Sequence, residues 1–599
     1  MIVEEHRHSV YTTYFSGLSL LSSLTLLIRS LFLFAVSALL LFCSTRSGNN
    51  RKSTHDMAAR GVGQGMVTDS AMVVTAHPLA TQVGVEVLRR GGNAVDAAVA
   101  VHWALAVVAP WAGNIGGGGL MVTRDASGTI HTLDFRETAP QAAHANMFIG
   151  KDGAPNSKLS LQGHKAVGVP GSVAGLFAAH DSLGRLSMAE LIQPAIDLAL
   201  QGFPLTALEA KELNSKLALI ESASTVPSIY TTKEKWNAGD TLKLVDLAAT
   251  LVRIRDAGPA GFYHGETAAL IIAEMGRGGG LISQADLAGY RPIWRQPIVG
   301  SYRSLEIISM GPPSSGGIVL LQSLKAMEGM DVTQAGWQSP AAVHRMVEAE
   351  RRAFADRAEH LGDPDFVRVP TERLLSDEYI AQRMTSFNAE RATPSSVVSP
   401  GEPISEAEHT THFSIVDEEG NAVSCTTTLN GSYGAGVVVG GAGFVLNNEM
   451  DDFSIGHNVP NRYGLLGSEA NAIEPGKRML SSMAPTIVTR NGQLFMVLGS
   501  PGGATIPTSV LQALVNVVDH GMTAQQAVTA PRLHHQWKPD TIRMEAKALA
   551  AEDSLELVRM GHTFKVRSAI GRVDAILVLP DGRLEAGSDP RGDDSAAGY

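Results

Sequence analysis

A threonine hydroxyl is a weak nucleophile until a base sits beside it, and a threonine at a chain's N-terminus brings its own. Its α-amino group, with a pKa of about 7.7–8.0, reaches the hydroxyl directly or through one water. Thr410 is a candidate for this chemistry. It is internal as translated, so a cut between His409 and Thr410 must come first. An N→O acyl shift where an exposed linker runs into a strand would make that cut. Threonine ahead of a strand is common, however, and spacing alone does not separate this reading from an ordinary strand start. The hairpin adds a constraint. If Val416 pairs with Ala422 across the turn Asp417-Glu418-Glu419-Gly420-Asn421, then Thr410 faces Thr428. Opposed residues in a ladder stand about 4.5–5.5 Å apart, so Thr428 would reach Thr410 with a hydrogen bond. A slip of one residue would remove it.

Three further groups could serve the same reaction. Gly502-Gly503 lies between a strand and a helix; its backbone N–H groups suit a developing oxyanion, or the pair is simply a tight βα turn. Ser481-Ser482 follow Lys477-Arg478 and suit a carboxylate, or are a solvated loop pair. Glu449, Asp451 and Asp452 suit an ammonium group, or are a solvated turn; they lack the spacing of an EF-hand.

Other chemistries lack their residues. There is no Gly-x-Ser-x-Gly elbow and no His-Glu-x-x-His. Gly116–Gly119 is not followed by Gly-Lys-Ser/Thr, so it is no phosphate cradle. His409 and His412 fall on opposite faces of an extended strand, and the adjacent His534 and His535 point apart. No metal or other cofactor is expected.

The elements that must hold these residues are readable from pattern. Residues 83–90 and 93–109 read as helices, the second apolar nearly all round and so buried. Strands 120–124 and 129–136 form a hairpin about Asp125–Gly128, with Arg136 at its end. The middle, about 170–390, reads as mostly helical. Its clearest helix has Ser339 as cap and Pro340 at the first position, and runs to about Leu361. A composition break with three prolines follows at 392–409 and reads as an exposed surface linker. The pattern then flips to β: strands 411–416 and 422–428, later 494–499, then a helix over 506–519.

Composition bounds the partners. The chain has 599 residues, ordinary hydrophobic content and a net charge of −11, which argues against nucleic acid. Its two cysteines, Cys43 and Cys425, leave no internal disulfide once an export segment is removed. Residues 1–50 carry that segment: Arg29 precedes the apolar run Ser30–Cys43, the length of a signal h-region. Without a clear small-x-small cleavage site, an uncleaved N-terminal membrane anchor is the alternative. Either reading places the chain outside the cytoplasm, periplasmic or extracellular.

The runs TTHFSIVDEEGNAVS, TLNGSYGAG, LNNEMDDFS, LSSMAPTIV, GSPGGA and PRLHHQW resemble the small subunit of γ-glutamyltranspeptidases (glutathione hydrolases). GNAVDAAVAV, GNIGGGGLMV, DFRETAP, VPGSVAG and PPSSGG resemble the large one. The resemblance spans about residue 65 to Tyr599 in unbroken order. It implies an α/β fold, the four-layer αββα N-terminal-nucleophile hydrolase, self-cleaved into a large subunit (65–409) paired with a small subunit (410–599). It also implies roles. Thr410 is the nucleophile, assisted by Thr428, with Gly502 and Gly503 as oxyanion hole. Arg136, Ser481 and Ser482 hold the donor's α-carboxylate; Asn430, Glu449 and Asp452 hold its α-ammonium. The implied donors are glutathione and related γ-glutamyl compounds, and the acceptors are water, amino acids and dipeptides. Residues 453–480, with Tyr463, resemble a lid. A cephalosporin or glutaryl acylase would keep Thr410 without needing the ammonium clamp. A poly-γ-glutamate-processing transferase would share the γ-linkage, and a non-catalytic binding protein would not need an intact Thr410.

Overall fold

The strand that begins at Thr410 runs through the middle of a sheet, and the reasons lie in its hairpin turn. The computed structural model describes residues 61–398, 410–455 and 468–599. The expected export segment, the linker residues 399–409 with His409, and Tyr463 lie outside these.

Two seven-stranded antiparallel sheets form the centre of Val62–Tyr599. In chain order their strands are β1 (Val67–Thr68), β2 (Met72–Thr75), β3 (Gly118–Arg124), β4 (Ile130–Asp134), β5 (Ile293–Arg295), β6 (Ile298–Tyr302) and β7 (Leu305–Ser309). Then follow β8 (Thr410–Val416), β9 (Ala422–Thr428), β10 (Thr486–Arg490), β11 (Gln493–Gly499), β12 (Asp574–Val578), β13 (Leu584–Gly587) and β14 (Ser595–Gly598). The first sheet has the order β1-β13-β12-β11-β10-β7-β6, the second β14-β2-β8-β9-β3-β4-β5.

The sheets pack face to face, and each carries helices on its outer side. Helices α1 (Pro78–Arg89) and α2 (Ala94–Val108) cover the second sheet, sharing a core with Val73, Phe413, Ile415 and Val423. Helices α3 (Gly316–Gly329), α4 (Pro340–His360) and α5 (Thr505–Val518) share a core with the first sheet, among Ile307, Ile487, Val497 and Ile576. Met72, Val74 and Val416 of the second sheet join that core from inside. The layers are therefore αββα, as expected. Strand alternation does the sorting: Phe413 and Ile415 face the helices, while their neighbours face the other sheet.

Each element has a local cause. Asn93 caps α2 by accepting from Val95 and Asp96 N–H, and Asp96 answers by accepting Asn93 N–H at 2.9 Å. All fifteen residues of α2 are buried, as an all-round apolar pattern requires. Helix α1 starts at Pro78, five residues earlier than expected, because the His77 ring accepts Leu79 N–H at 3.1 Å and Pro78 takes the first helical position. Strand β4 ends at Asp134, so Arg136 lies just past the ladder, its N–H held by Asp134 Oδ1 at 2.9 Å. The helical middle also contains β5, β6 and β7, three short strands that pattern reading passed over.

The expected linker differs in its first part. Thr393, Ser395 and Val398 are buried. Ser395 Oγ donates to Trp537 O at 2.5 Å, and the Trp537 indole donates to the Ser395 and Val398 carbonyls at 3.0 Å each. A proline-rich stretch can dock as well as float when its backbone finds donors.

Candidate active site

The β8–β9 hairpin has the expected register: Val416 opposite Ala422, and Thr410 opposite Thr428. One carboxylate fixes its turn. Asp417 Oδ1 accepts from Glu419 and Asn421 N–H, while Oδ2 accepts from Ala94 N–H at the start of α2. The hairpin is thereby tied to the core helix at one end, and Thr410 stands at the other. Thr410 is buried, with its Oγ1 3.5 Å from Thr428 Oγ1, at the outer limit of hydrogen bonding. Thr428 Oγ1 in turn accepts Asn430 N–H at 2.8 Å. Asn430 takes a left-handed φ of 64°, and its side chain donates to Asn448 O.

Behind Thr410 the inward faces of the hairpin are polar. His412 Nδ1 lies 2.9 Å from Thr426 Oγ1 and its Nε2 3.1 Å from Ser414 Oγ. Ser414 Oγ donates across to Asp574 O, and Ser424 Oγ to Leu498 O. These bonds pin β8 and β9 to the opposite sheet. Burial drives the His412 pKa down to about 3, so the ring is neutral.

A cavity of about 300 Å³ opens in front of Thr410, lined also by Thr428, Asn430, Arg136, Asp452, Ser481, Ser482 and Gly503. Eight residues singled out from sequence thus meet in one place, drawn from both halves of the chain. Glu449 sits just behind, fully buried, with its Oε2 2.6 Å from Arg136 Nη1. Gly502 lies on the far side of Thr410, in the wall of a second cavity. Both glycines have positive φ, 135° for Gly502 and 55° for Gly503. A Cβ on Gly502 would lie 2.4 Å from Thr505 Oγ1, so only glycine fits. Among the described residues neither glycine's N–H has a protein acceptor, which leaves both donors for an oxyanion.

The charged groups pair with each other. Arg136 Nη2 donates to Asp452 Oδ2 at 2.5 Å, and Nη1 to Glu137 Oε2 at 3.4 Å. Burial opposes the Arg136 charge, but Glu449, Glu137 and Asp452 more than offset it, so the guanidinium stays charged. Burial also raises the carboxyls: Glu449 well above the ordinary range, Asp452 above it, and Glu137 to about 7. A buried guanidinium needs counter-ions, and removing one partner of such a cluster costs about 3–5 kcal/mol. Glu449 is close to Arg136 but poorly aimed: neither of its oxygens completes a well-directed hydrogen bond. The Thr428 hydroxyl is a hydrogen-bonding neighbour of this carboxyl.

Asp451, grouped with these acids in the sequence, turns away and accepts from Ser160 Oγ at 2.5 Å. Asn471 braces the others, donating to Asp452 O and accepting Leu480 N–H. Ser481 is held by its backbone, donating to Pro313 O and accepting from Ser315 N–H and Oγ. Sequence reasoning missed Arg357, which lines the same cavity and donates to Ser315 Oγ and, at 3.4 Å, to Ser482 Oγ. It also missed Glu137. Glu137 lies inside the quoted run DFRETAP, whereas Arg357 had no local signal beyond an arginine among the inward positions of α4.

Comparison with known proteins identifies the family. A family model described as Gamma-glutamyltranspeptidase matches residues 80–599. A "Glutathione hydrolase proenzyme" of Escherichia coli (strain K12) is 46% identical over 532 residues, covering 88% of this chain and 92% of that one. Among solved structures, a cephalosporin acylase from Bacillus halodurans superposes with TM-score 0.80 at 28% identity, covering 90% of this chain and 97% of its own. The Helicobacter pylori gamma-glutamyltranspeptidase superposes with TM-score 0.53 at 42% identity, over 57% of this chain and 96% of its own. The family model over residues 80–599 and a relative 46% identical over 88% of this chain, together with the αββα sandwich, make the chain a member of the gamma-glutamyltranspeptidase family.

Proposed function

We propose that the protein is a γ-glutamyltransferase and glutathione hydrolase, made active by its own scission between His409 and Thr410. The observation that carries this reading is the set of opposite charges beside a threonine nucleophile. Arg136, with Ser481 and Ser482, suits an α-carboxylate; Glu449 and Asp452, with Asn430, suit an α-ammonium. A γ-glutamyl group is the acyl donor that carries both charges on one carbon and its reactive carbonyl three bonds further out. Its zwitterion exchanges the internal Arg136–Glu449–Asp452 cluster for two matched pairs, so the buried site gains no net charge on binding.

The scission frees the Thr410 amine, which takes the hydroxyl proton as Oγ1 attacks the γ-amide carbonyl. The tetrahedral oxyanion falls to the Gly502 and Gly503 N–H groups. Cysteinylglycine leaves with a proton, and a γ-glutamyl ester remains on Thr410. Water, or the amine of an amino acid or dipeptide, then takes the acyl group. Thr428 orients Thr410 throughout. The apolar run Ser30–Cys43 fits export of such an enzyme, by signal or by anchor.

A cephalosporin acylase shares the fold, but an acyl group without an ammonium would draw its own carboxylate to Arg136 and bring no cation to offset Glu449 and Asp452, which share that arginine. Incubation with glutathione tests the choice. Release of glutamate and cysteinylglycine, with a γ-glutamyl adduct on the Thr410 peptide in quenched samples, is expected. Absence of γ-glutamyl turnover, with cleavage of glutaryl amides instead, would overturn it.

A further inference from the structure

Thr410 stands in the wall between two cavities. The zwitterion cavity lies on its Gly503 side. On its Pro501–Gly502 side a second cavity of about 640 Å³ is lined by Trp111, Glu212, Gly571, Arg572 and Arg591. An acyl group on Thr410 with its oxygen at the glycine turn points its alkyl chain into the first cavity. The fourth substituent of the tetrahedral carbon, the amine that leaves or attacks, then points into the second.

The second cavity holds two cations, and they are not equivalent. Arg591 is spent: it donates to Glu545, Asp589 and the carbonyls of Val528 and Ala530. Arg572 is half spent. Its Nε and Nη2 both donate to Asp594 Oδ2, at 2.9 and 2.7 Å, while Nη1 has no protein acceptor among the described residues. The guanidinium lies 5.3 Å from the Trp111 ring centre, so one face is fixed by an aromatic wall and one edge by Asp594. Its backbone is tied to the catalytic turn as well. Arg572 N–H donates to Ser500 Oγ at 3.0 Å, and Gly571 packs so close to Gly502 that a Cβ there would lie 3.2 Å away. A rigid guanidinium in the wall of this cavity, with one nitrogen left over, is a carboxylate receptor.

We propose that this cavity is the leaving-group and acceptor site, and that Arg572 Nη1 takes the free carboxylate of the amino acid or short peptide bound there. The proposal rests on the γ-glutamyl reading and names the partner of that reaction. In the transfer step the bound amine nitrogen bonds to the acyl carbon. The bond from that carbon to Thr410 Oγ1 breaks, and one amine proton ends on Oγ1. Arg572 touches no reacting atom; it places the amine by holding the opposite end of the molecule.

The test compares glutathione with its derivative in which the glycine carboxylate is a primary amide, on the wild-type enzyme and on Arg572→Gln. Loss of a charge-assisted hydrogen bond predicts a KM for the amide about tenfold above that for glutathione in the wild type. In Arg572→Gln the two KM values should converge to within about twofold, since the charge that distinguishes them is gone. Equal KM values in the wild type overturn the proposal without any variant, whatever the variant's stability. Full discrimination retained by Arg572→Gln overturns it as well. Failure of the γ-glutamyl reading has a different signature: neither substrate is cleaved.

Discussion

At the scale of single residues, the site depends on which partner each polar atom is left with. Thr428 shows this. Its Oγ1 accepts from Asn430 N–H, so its own proton is directed at its remaining neighbours, Thr410 among them. Thr428→Val keeps the shape and removes that proton, and kcat should fall about 10- to 100-fold, the worth of one buried hydrogen bond. Thr428→Ser should keep most of the activity; equal activity of the Val and Ser variants would contradict the role. His412 gives a second prediction. The fold holds its pKa at about 3, whereas the unfolded residue titrates near its ordinary value of about 6.5. Between those values the unfolded chain binds a proton that the fold refuses. The contribution of His412 to stability is therefore complete above about pH 6.5 and is lost as pH falls toward 3. His412→Gln should flatten the acid limb of the Tm-versus-pH curve over that window, and an unchanged slope would contradict it.

At the scale of elements, the catalytic geometry is that of two turns. The Asp417 turn sets the register of β8 on β9, and the glycine turn after β11 places the Gly502 and Gly503 N–H groups proposed as oxyanion donors. Gly502→Ala would force a Cβ to within 2.4 Å of Thr505 Oγ1 at a φ of 135°. Displacing one oxyanion donor lowers kcat on the order of 10²- to 10³-fold. Normal turnover in a correctly processed Gly502→Ala enzyme would remove the turn from the mechanism. Elements also explain what was legible in the sequence. Thr410 opposite Thr428 was legible only on the condition that Val416 pairs with Ala422 across the five-residue turn, and the structure has that register. The helix from Pro340 follows from its Ser339 cap and its proline. The strands around Ile298 and Leu305 are short and flanked by helices, and periodicity over so few residues does not distinguish them. Arg136 was legible as a site residue through its motif, but its pairing with Glu449 and Asp452 was not, because it depends on distant segments meeting. Arg357 and the burial of Thr393, Ser395 and Val398 depend on the same kind of contact. So does the second cavity, whose wall joins Trp111 to Arg572.

At the scale of the whole molecule, a cut before Thr410 divides the chain without dividing the fold. Strand β8 pairs with β2 on one side and β9 on the other, and β9 pairs with β3. The second sheet therefore interleaves strands from before and after the junction, and β10 pairs with β7 in the first. The zwitterion cavity is shared in the same way: Arg136 and Arg357 come from one piece, and Thr410, Asp452 and Ser481 from the other. The pieces should co-elute on size exclusion in native buffer and separate only in denaturant. Dissociation under native conditions would contradict the topology.

Intact-mass analysis of the purified enzyme and of Thr410→Ala, both denatured, tests most directly whether scission creates the catalyst. The active wild type should give two species, one of them running from Thr410 to Tyr599, while Thr410→Ala should give a single uncut, inactive chain. A wild-type enzyme that turns over γ-glutamyl substrate with the bond between His409 and Thr410 still intact would contradict the account.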